Sequence, residues 1–409
     1  MIQFEKFTLS NGLRVIVHQD TSTPMAVMNI MYDVGARDED PSKTGFAHLF
    51  EHLMFGGSVN IPNYDEPLQM AGGDNNAYTT NDLTNYHIQV PAENLETAFW
   101  LESDRMLSLA FTDKSLDVQR KVVCEEFKEH YLNKPYGDVW HKMRELAYKK
   151  HPYRWQTIGR ELSHIENAKL EDVKSFFFKH YRPVNAVMVV AGNVTVDKVK
   201  MLAQKWFGDI PAGERYKRNV PQEPAQNEER KLEVKSNVPL DALYKCWHIY
   251  PRLDRRYYII DLMSDILGGG GSSRLHQSLV KEKKLFSNIE CYHYGSTDAG
   301  LLCIEGKLVK GVKMEDAEKA VEEELEKLKQ EGISEKELTK VQNKTESAIA
   351  FEDMSVMTRT NNLAFYELLG DAALFNTDRE KYFAVTREDI QQYSRKIFDT
   401  NNSNTLCYY

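Results

Sequence analysis

The sequence predicts an α+β chain built of two similar domains in tandem. Three observations carry that expectation. Strand-like and helix-like segments mix without the strict βα alternation of a doubly wound sheet. A charged stretch over residues 212–230, holding Pro221 and Pro224 and almost no large aliphatics, interrupts the pattern near the middle of the chain. Beyond it, the second half repeats the rhythm of the first. The expected division is residues 1–212, a linker over 213–231, and residues 232–409.

In the first half, Asn11-Gly12 marks a turn and residues 13–18 alternate like a strand. Residues 26–34 read as a second strand, and 45–55 are apolar at helical spacing. Residues 79–90, rich in Thr, Tyr and Ile and closed by Pro91, read as one strand. Helices are expected over 95–109, 116–148 and 170–180, and a buried strand over 186–191. In the second half, strands over 232–235 and 242–249 precede a helix over 257–267. Strands over 288–294 and 301–308 then lead to helices over 314–330 and 335–352. The repeat is far too long for a solenoid.

Composition removes several function classes. With 42% hydrophobic and 28% charged residues the chain is globular. Its 52 Lys+Arg against 61 Asp+Glu, a net charge of -9, speak against a dedicated nucleic-acid binder. The most apolar run, 186–191, is strand-sized and well short of the roughly 20 residues of a spanning helix. Met1 is followed by neither a basic start nor an apolar stretch, so a cytoplasmic location is expected, the alternative being a periplasmic one after removal of a signal peptide. The cysteines at 124, 246, 291, 303 and 407 are scattered and form no Cys-x-x-Cys pair, which argues against a disulfide framework or a cysteine zinc site. The run Gly268 to Gly271 lacks a following Lys-Ser/Thr and reads as a turn between helices, not a phosphate loop.

The chemistry concentrates in Gly45-Phe46-Ala47-His48-Leu49-Phe50-Glu51-His52-Leu53-Met54-Phe55. On a helix His48 and His52 stand one turn apart and face the same way. Two imidazoles so placed suit one metal ion, and Glu51 lies within reach of water beside it. Zn²⁺ accepts imidazole and carboxylate ligands and keeps a position open in catalytic sites. His-x-x-Glu-His inverts the commoner His-Glu-x-x-His order. The pentapeptide alone also fits two ordinary histidines on a packed helix. The apolar neighbours Leu49, Phe50, Leu53 and Met54 tip the balance, because burying two imidazoles and a carboxylate demands a partner. A third ligand is open among Glu125, Glu126 and Glu129. Glu126 shares a face with Gln119 and with Val122 and Val123, taken as core-facing, but spacing does not settle the choice.

With these segments in view, the chain resembles the pitrilysin/insulinase family of inverted-motif zinc peptidases. Its two-domain size is similar to that of the group containing mitochondrial processing peptidase. The resemblance extends over Ser10-Asn11-Gly12-Leu13, the His48–His52 segment and residues 73–86 with Asn76-Ala77 and Thr84-Asn85-Tyr86. It continues through His151-Pro152-Tyr153, Gly159, Tyr181-Arg182-Pro183-Val184-Asn185 and residues 267–275. It implies two domains, each a mostly antiparallel sheet packed with helices, with zinc on the first. Gln119-Arg120-Lys121-Val122-Val123-Cys124-Glu125-Glu126 is similar to the family's third-ligand helix and makes Glu126 that ligand. Gln119 stands where relatives carry a supporting glutamate; it keeps the hydrogen-bonding ability and loses the charge. Asn76 and Ala77 resemble the family's substrate-pairing edge strand, although Asn76 alone reads as a turn residue after Gly72-Gly73.

The resemblance also implies the activity: a Zn²⁺ endopeptidase acting on peptides or unfolded chains, with Glu51 as general base. One departure bears on partners. Aligning Ser272-Ser273-Arg274-Leu275 places Val280 and Ser287 where relatives carry a substrate-binding Arg and Tyr; a one-residue gap offers Lys281 or Phe286 instead. A second family chain carrying the Arg/Tyr pair is therefore expected, the two forming one chamber. The alternative is a catalytically silent family member with a structural or assembly role, against which the retained His48, Glu51, His52 and Glu126 argue.

Overall fold

The computed structural model describes residues 1–409. From the N terminus the chain forms β1 (Glu5–Thr8), β2 (Arg14–Gln19), β3 (Met25–Tyr32), α1 (Phe46–Leu53), α2 (Asp65–Met70), β4 (Asp74–Thr79) and β5 (Thr84–Pro91). There follow α3 (Leu95–Leu107), α4 (Asp113–Phe127), α5 (Val139–Ala147), α6 (Leu162–Glu166), α7 (Leu170–His180), β6 (Ala186–Gly192) and α8 (Val196–Phe207). Residues 211–229 carry no helix or strand. The remainder comprises β7 (Arg230–Val234), β8 (Ala242–His248), α9 (Arg255–Gly268), β9 (Phe286–Tyr294), β10 (Leu301–Leu308) and α10 (Met314–Glu331). It ends with α11 (Glu335–Glu352), α12 (Val356–Leu368), α13 (Asp378–Phe383), α14 (Arg387–Ile397) and β11 (Ser403–Tyr408).

The chain divides into two compact units that do not follow a single cut. The first gathers Met1–Leu132, His151–Pro221 and Phe351–Asn376; the second gathers Asn133–Lys150, Gln222–Ala350 and Thr377–Tyr409. The first unit holds a sheet of order β1-β2-β6-β3-β5-β4, the second a sheet of order β7-β11-β8-β10-β9. In the first, only β2 and β6 run parallel. In the second, only β7 and β11 do. Setting β2, β6, β3, β5, β4 against β7, β11, β8, β10, β9 gives the same order with the same parallel pair. The repeated rhythm of the sequence is this repeated sheet, and the α+β class with mostly antiparallel sheets is as expected.

Both faces of the first sheet are covered. Met28, Ile30, Ile88 and Val90 enter one core with Phe50, Phe99, Phe177 and Phe207 from the helices. Ile16, Met31, Val187 and Val189 point to the opposite face and meet Leu363 and Ala364 of α12. Burial on both sides explains why β6 is apolar throughout rather than alternating. In the second unit, α9 and α10 join one core with Leu243 and Trp247. There α5 packs on β7, β8 and β11, where Arg230 donates to the Leu146 carbonyl at 3.1 Å. Each sheet is thus closed on one face by a helix from the other half of the sequence.

Two elements differ from expectation. The single strand expected over 79–90 is the hairpin β4–β5, because Thr80 turns the chain: its hydroxyl accepts from the amides of Asp82 and Leu83 at 3.0 and 3.1 Å. The single helix expected over 116–148 ends α4 at Phe127, widens into a π-helical turn over Lys128–Leu132, and restarts as α5. Pro135 and Gly137 lie in the break, and Tyr136 takes a positive φ of 61°.

Candidate metal centre

The first unit assembles the site from α1, β4 and α4. Helix α1 buries Phe46, Leu49, Phe50 and Leu53 and leaves His48, Glu51 and His52 half-buried on its other face. Its N-terminus is held from outside. Gly45 takes a φ of 89°, and the Glu39 carboxylate accepts from the amides of Gly45 and Ala47 at 2.9 and 2.8 Å. The Trp155 indole N–H donates to the same carboxylate at 3.1 Å. Helix α4 starts on a capping box in which Thr112 accepts from the Ser115 amide at 3.0 Å. It packs on α1 near its C-terminal end.

This packing brings His48, His52 and Glu126 together. The two Nε2 atoms lie 3.3 Å apart, and Glu126 Oε2 stands 3.7 Å from that of His48 and 3.5 Å from that of His52. One ligand atom from each lies within 4.8 Å of the others. A tetrahedral ion with bonds of about 2.05 Å has ligand atoms about 3.4 Å apart, so the three atoms already span one face of a zinc tetrahedron. Two imidazoles and a carboxylate also form a donor set that Zn²⁺ accepts. The rings of His48 and His52 stand at 90° to one another, and the buried Nδ1 of His48 has no hydrogen-bond partner. Packing and whatever occupies Nε2 therefore hold that ring. Burial lowers the His48 pKa to about 4, which leaves it neutral at pH 7, as a ligand must be. The hydrogen-bonding His52 ring holds Glu126 below the usual carboxylate range, while burial pushes Glu51 above it.

Of the three candidate glutamates, Glu125 and Glu129 are exposed, and Glu125 pairs with Lys128 at 2.8 Å. Gln119 is half-buried two turns before Glu126 and takes no part in the contacts among His48, His52 and Glu126. Val123 is buried, but Val122, taken as core-facing, is 46% exposed. Asn76 and Ala77 lie on β4, one of the two edge strands of the first sheet. Asn76 is exposed and its Oδ1 accepts from the Ala77 amide at 2.8 Å, while Ala77 packs toward the core. In the second unit Val280 packs against the core, and Ser287 donates to the Lys307 carbonyl at 3.1 Å.

Two residues of the site escaped the sequence. Thr79 Oγ1 donates to Glu51 Oε2 at 2.6 Å, and Glu39 caps the metal-site helix. Recognising the hairpin would have put Thr79 on the same strand face as Asn75 and Ala77; Glu39 gives no local signal.

Similarity to known proteins extends over most of the chain. The profile described as insulinase (peptidase family M16) matches residues 14–161, and that described as peptidase M16 inactive domain matches residues 167–345. The chain is 29% identical over 408 residues to the zinc protease PqqE of Helicobacter pylori, covering 98% of this chain and 92% of that one. It is 30% identical over 209 residues to the mitochondrial-processing peptidase subunit beta of Saccharomyces cerevisiae, covering 50% and 45%. The crystal structure of a protease from Helicobacter pylori superposes with a TM-score of 0.93 at 27% identity, covering 100% of both chains. Two M16 profiles laid end to end, on a repeated sheet with an inverted motif, define the class: the chain belongs to the pitrilysin/insulinase family, of which PqqE is named a zinc protease. No helix is long and apolar enough to cross a membrane.

Proposed function

We propose that the chain is a zinc-dependent endopeptidase for peptides or unfolded polypeptides, supplying the metal site of a chamber shared with a second family chain. The observation that carries this is the set of three ligand atoms 3.3–3.7 Å apart with Glu51 on the same helix face. His48, His52 and Glu126 would hold the ion. Bound Zn²⁺ supplies Lewis acidity, which lowers the pKa of water and polarises a peptide carbonyl. Glu51 accepts the proton of the attacking water and returns it to the leaving amine. The free edge of β4, at Asn76 and Ala77, pairs with an extended substrate through main-chain hydrogen bonds, which supply affinity with little dependence on sequence.

Glu51→Gln tests the central role. The variant is expected to keep its zinc, measured by elemental analysis, and to lose about 10²–10⁴-fold in peptide hydrolysis. Parental turnover would remove Glu51 from the mechanism.

Val280 and Ser287 support the two-chain reading, since Val280 has no donor and Ser287, whose hydroxyl donates to the Lys307 carbonyl, is too short to replace a phenol. The isolated chain is expected to turn over about 10²–10³-fold more slowly than with a partner carrying that pair. Full activity of the purified chain alone would refute it. A metal-loaded chain that stays inactive with every such partner would instead favour the silent, structural role. A cytoplasmic location belongs to the same proposal and is tested by cell fractionation.

A further inference from the structure

We infer that Thr79 is a positioning residue that ties the general base to the edge strand on which substrate is held. The inference rests on the reading of Glu51 as the base. Thr79 is the last residue of β4, and its hydroxyl donates to Glu51 Oε2 at 2.6 Å. That length belongs to a charge-assisted O–H···O⁻ bond. It is the one hydrogen bond the Glu51 carboxylate receives from the protein.

The terminal torsion of a glutamate is broad and roughly two-fold when nothing grips it. A single donor on one oxygen fixes that torsion and leaves the other oxygen free for the proton it must take. Alternation along β4 leaves Asn75, Ala77 and Thr79 half-buried on one side and Asp74, Asn76 and Tyr78 exposed on the other. The free main-chain edge of the same strand remains open beyond β5, since β4 pairs with β5 alone. One short strand therefore offers its edge to an extended peptide and its inward hydroxyl to the base. Pairing a peptide along that edge fixes the β4 backbone and with it the Thr79 hydroxyl. Placement of the scissile bond and orientation of the base then share one element.

A β-branched residue at this position would serve the strand equally well without a hydroxyl, which separates the two roles. Thr79→Val keeps the shape and removes the donor; Thr79→Ser keeps the donor. With the chain in whichever assembly turns over, Thr79→Val is expected to lower kcat about 10- to 100-fold, the size of a hydrogen bond to a charged group. KM and zinc content should be unchanged, because strand pairing uses the main chain and His48, His52 and Glu126 are untouched. Thr79→Ser should recover most of kcat. A readout independent of turnover is thermal melting of the metal-free protein: the loss in melting temperature caused by Thr79→Val should largely vanish in a Glu51→Ala background. Parental kcat in Thr79→Val, a Thr79→Ser variant as slow as Thr79→Val, or additive melting shifts would each overturn the inference. Glu51→Gln run in parallel separates the failures. An active Glu51→Gln removes the base assignment itself; an inactive one beside an unimpaired Thr79→Val removes only the role of Thr79.

Discussion

At the scale of single residues, buried polar groups decide how firmly the site is held. Glu39 is fully enclosed, and burial pushes its carboxyl up to about 8 while the amides of Ala47 and Gly45 and the Trp155 indole pull it down. The two amides open α1, so the Glu39 carboxyl group completes a helix start that Gly45 has no side chain to cap. Glu39→Ala is expected to strand these N–H groups and to cost about 1–3 kcal/mol of stability in urea unfolding. Because α1 carries His48 and His52, zinc affinity should fall with it by about 10–100-fold in chelator competition. Glu39→Gln, which keeps one acceptor oxygen, should lie between the parent and Glu39→Ala in both measurements.

At the scale of elements, α1 depends on its entry and the first sheet on its covering helix. At Gly45 the positive φ combines with close packing: an added Cβ would meet the Ile158 carbonyl oxygen at 2.7 Å. Gly45→Ala should therefore destabilise the protein by more than about 1 kcal/mol, read as a lower denaturation midpoint. Helix α12 is tied to the end of β2 by the ion pair of Arg359 with Asp20. Bonds from Ser22, followed by that from Arg359, hold the Asp20 carboxyl down to about 2. An acid whose folded pKa is depressed contributes stability above its unfolded pKa, near 4, and loses it as the pH falls toward 2. The melting temperature is expected to drop over that window, with a shallower drop in Asp20→Asn. The two misread boundaries differ in kind. Pro135 and Gly137 already signal the end of the helix expected over 116–148, a signal overridden by the apolar periodicity on both sides, whereas the Thr80 turn is revealed by its hydrogen bonds.

At the scale of the whole molecule, the units are interleaved in sequence. Residues 1–221 supply the first sheet but not the helix on its second face, which arrives with Phe351–Asn376. Expressed alone, 1–221 would leave Ile16, Met31, Val187 and Val189 without Leu363 and Ala364, an apolar patch that invites aggregation. Such a fragment is expected to be insoluble or molten by near-ultraviolet circular dichroism, and joining residues 351–376 to it should restore a cooperative transition. A fragment cut at 221 that folds cooperatively on its own would refute this dependence.

The sequence by itself determined what is local. The spacing of His48, Glu51 and His52 becomes one helix face because the helical repeat requires it, and the apolar run of β6 marks a strand buried on both sides. The repeated order of strands and helices announced two similar sheets. Only the tertiary structure decided what depends on distant segments meeting. Glu126 stands beside the histidines because α4 packs on α1; the valine pattern was a half-true guide, with Val123 buried and Val122 exposed. The bonds of Glu39 to α1 and of Thr79 to Glu51, and the exchange of α5 and α12, leave no periodic trace. Each is fixed by side chains or helix faces whose partners lie elsewhere in the chain, and a helix stripe specifies that it will be buried without specifying against what.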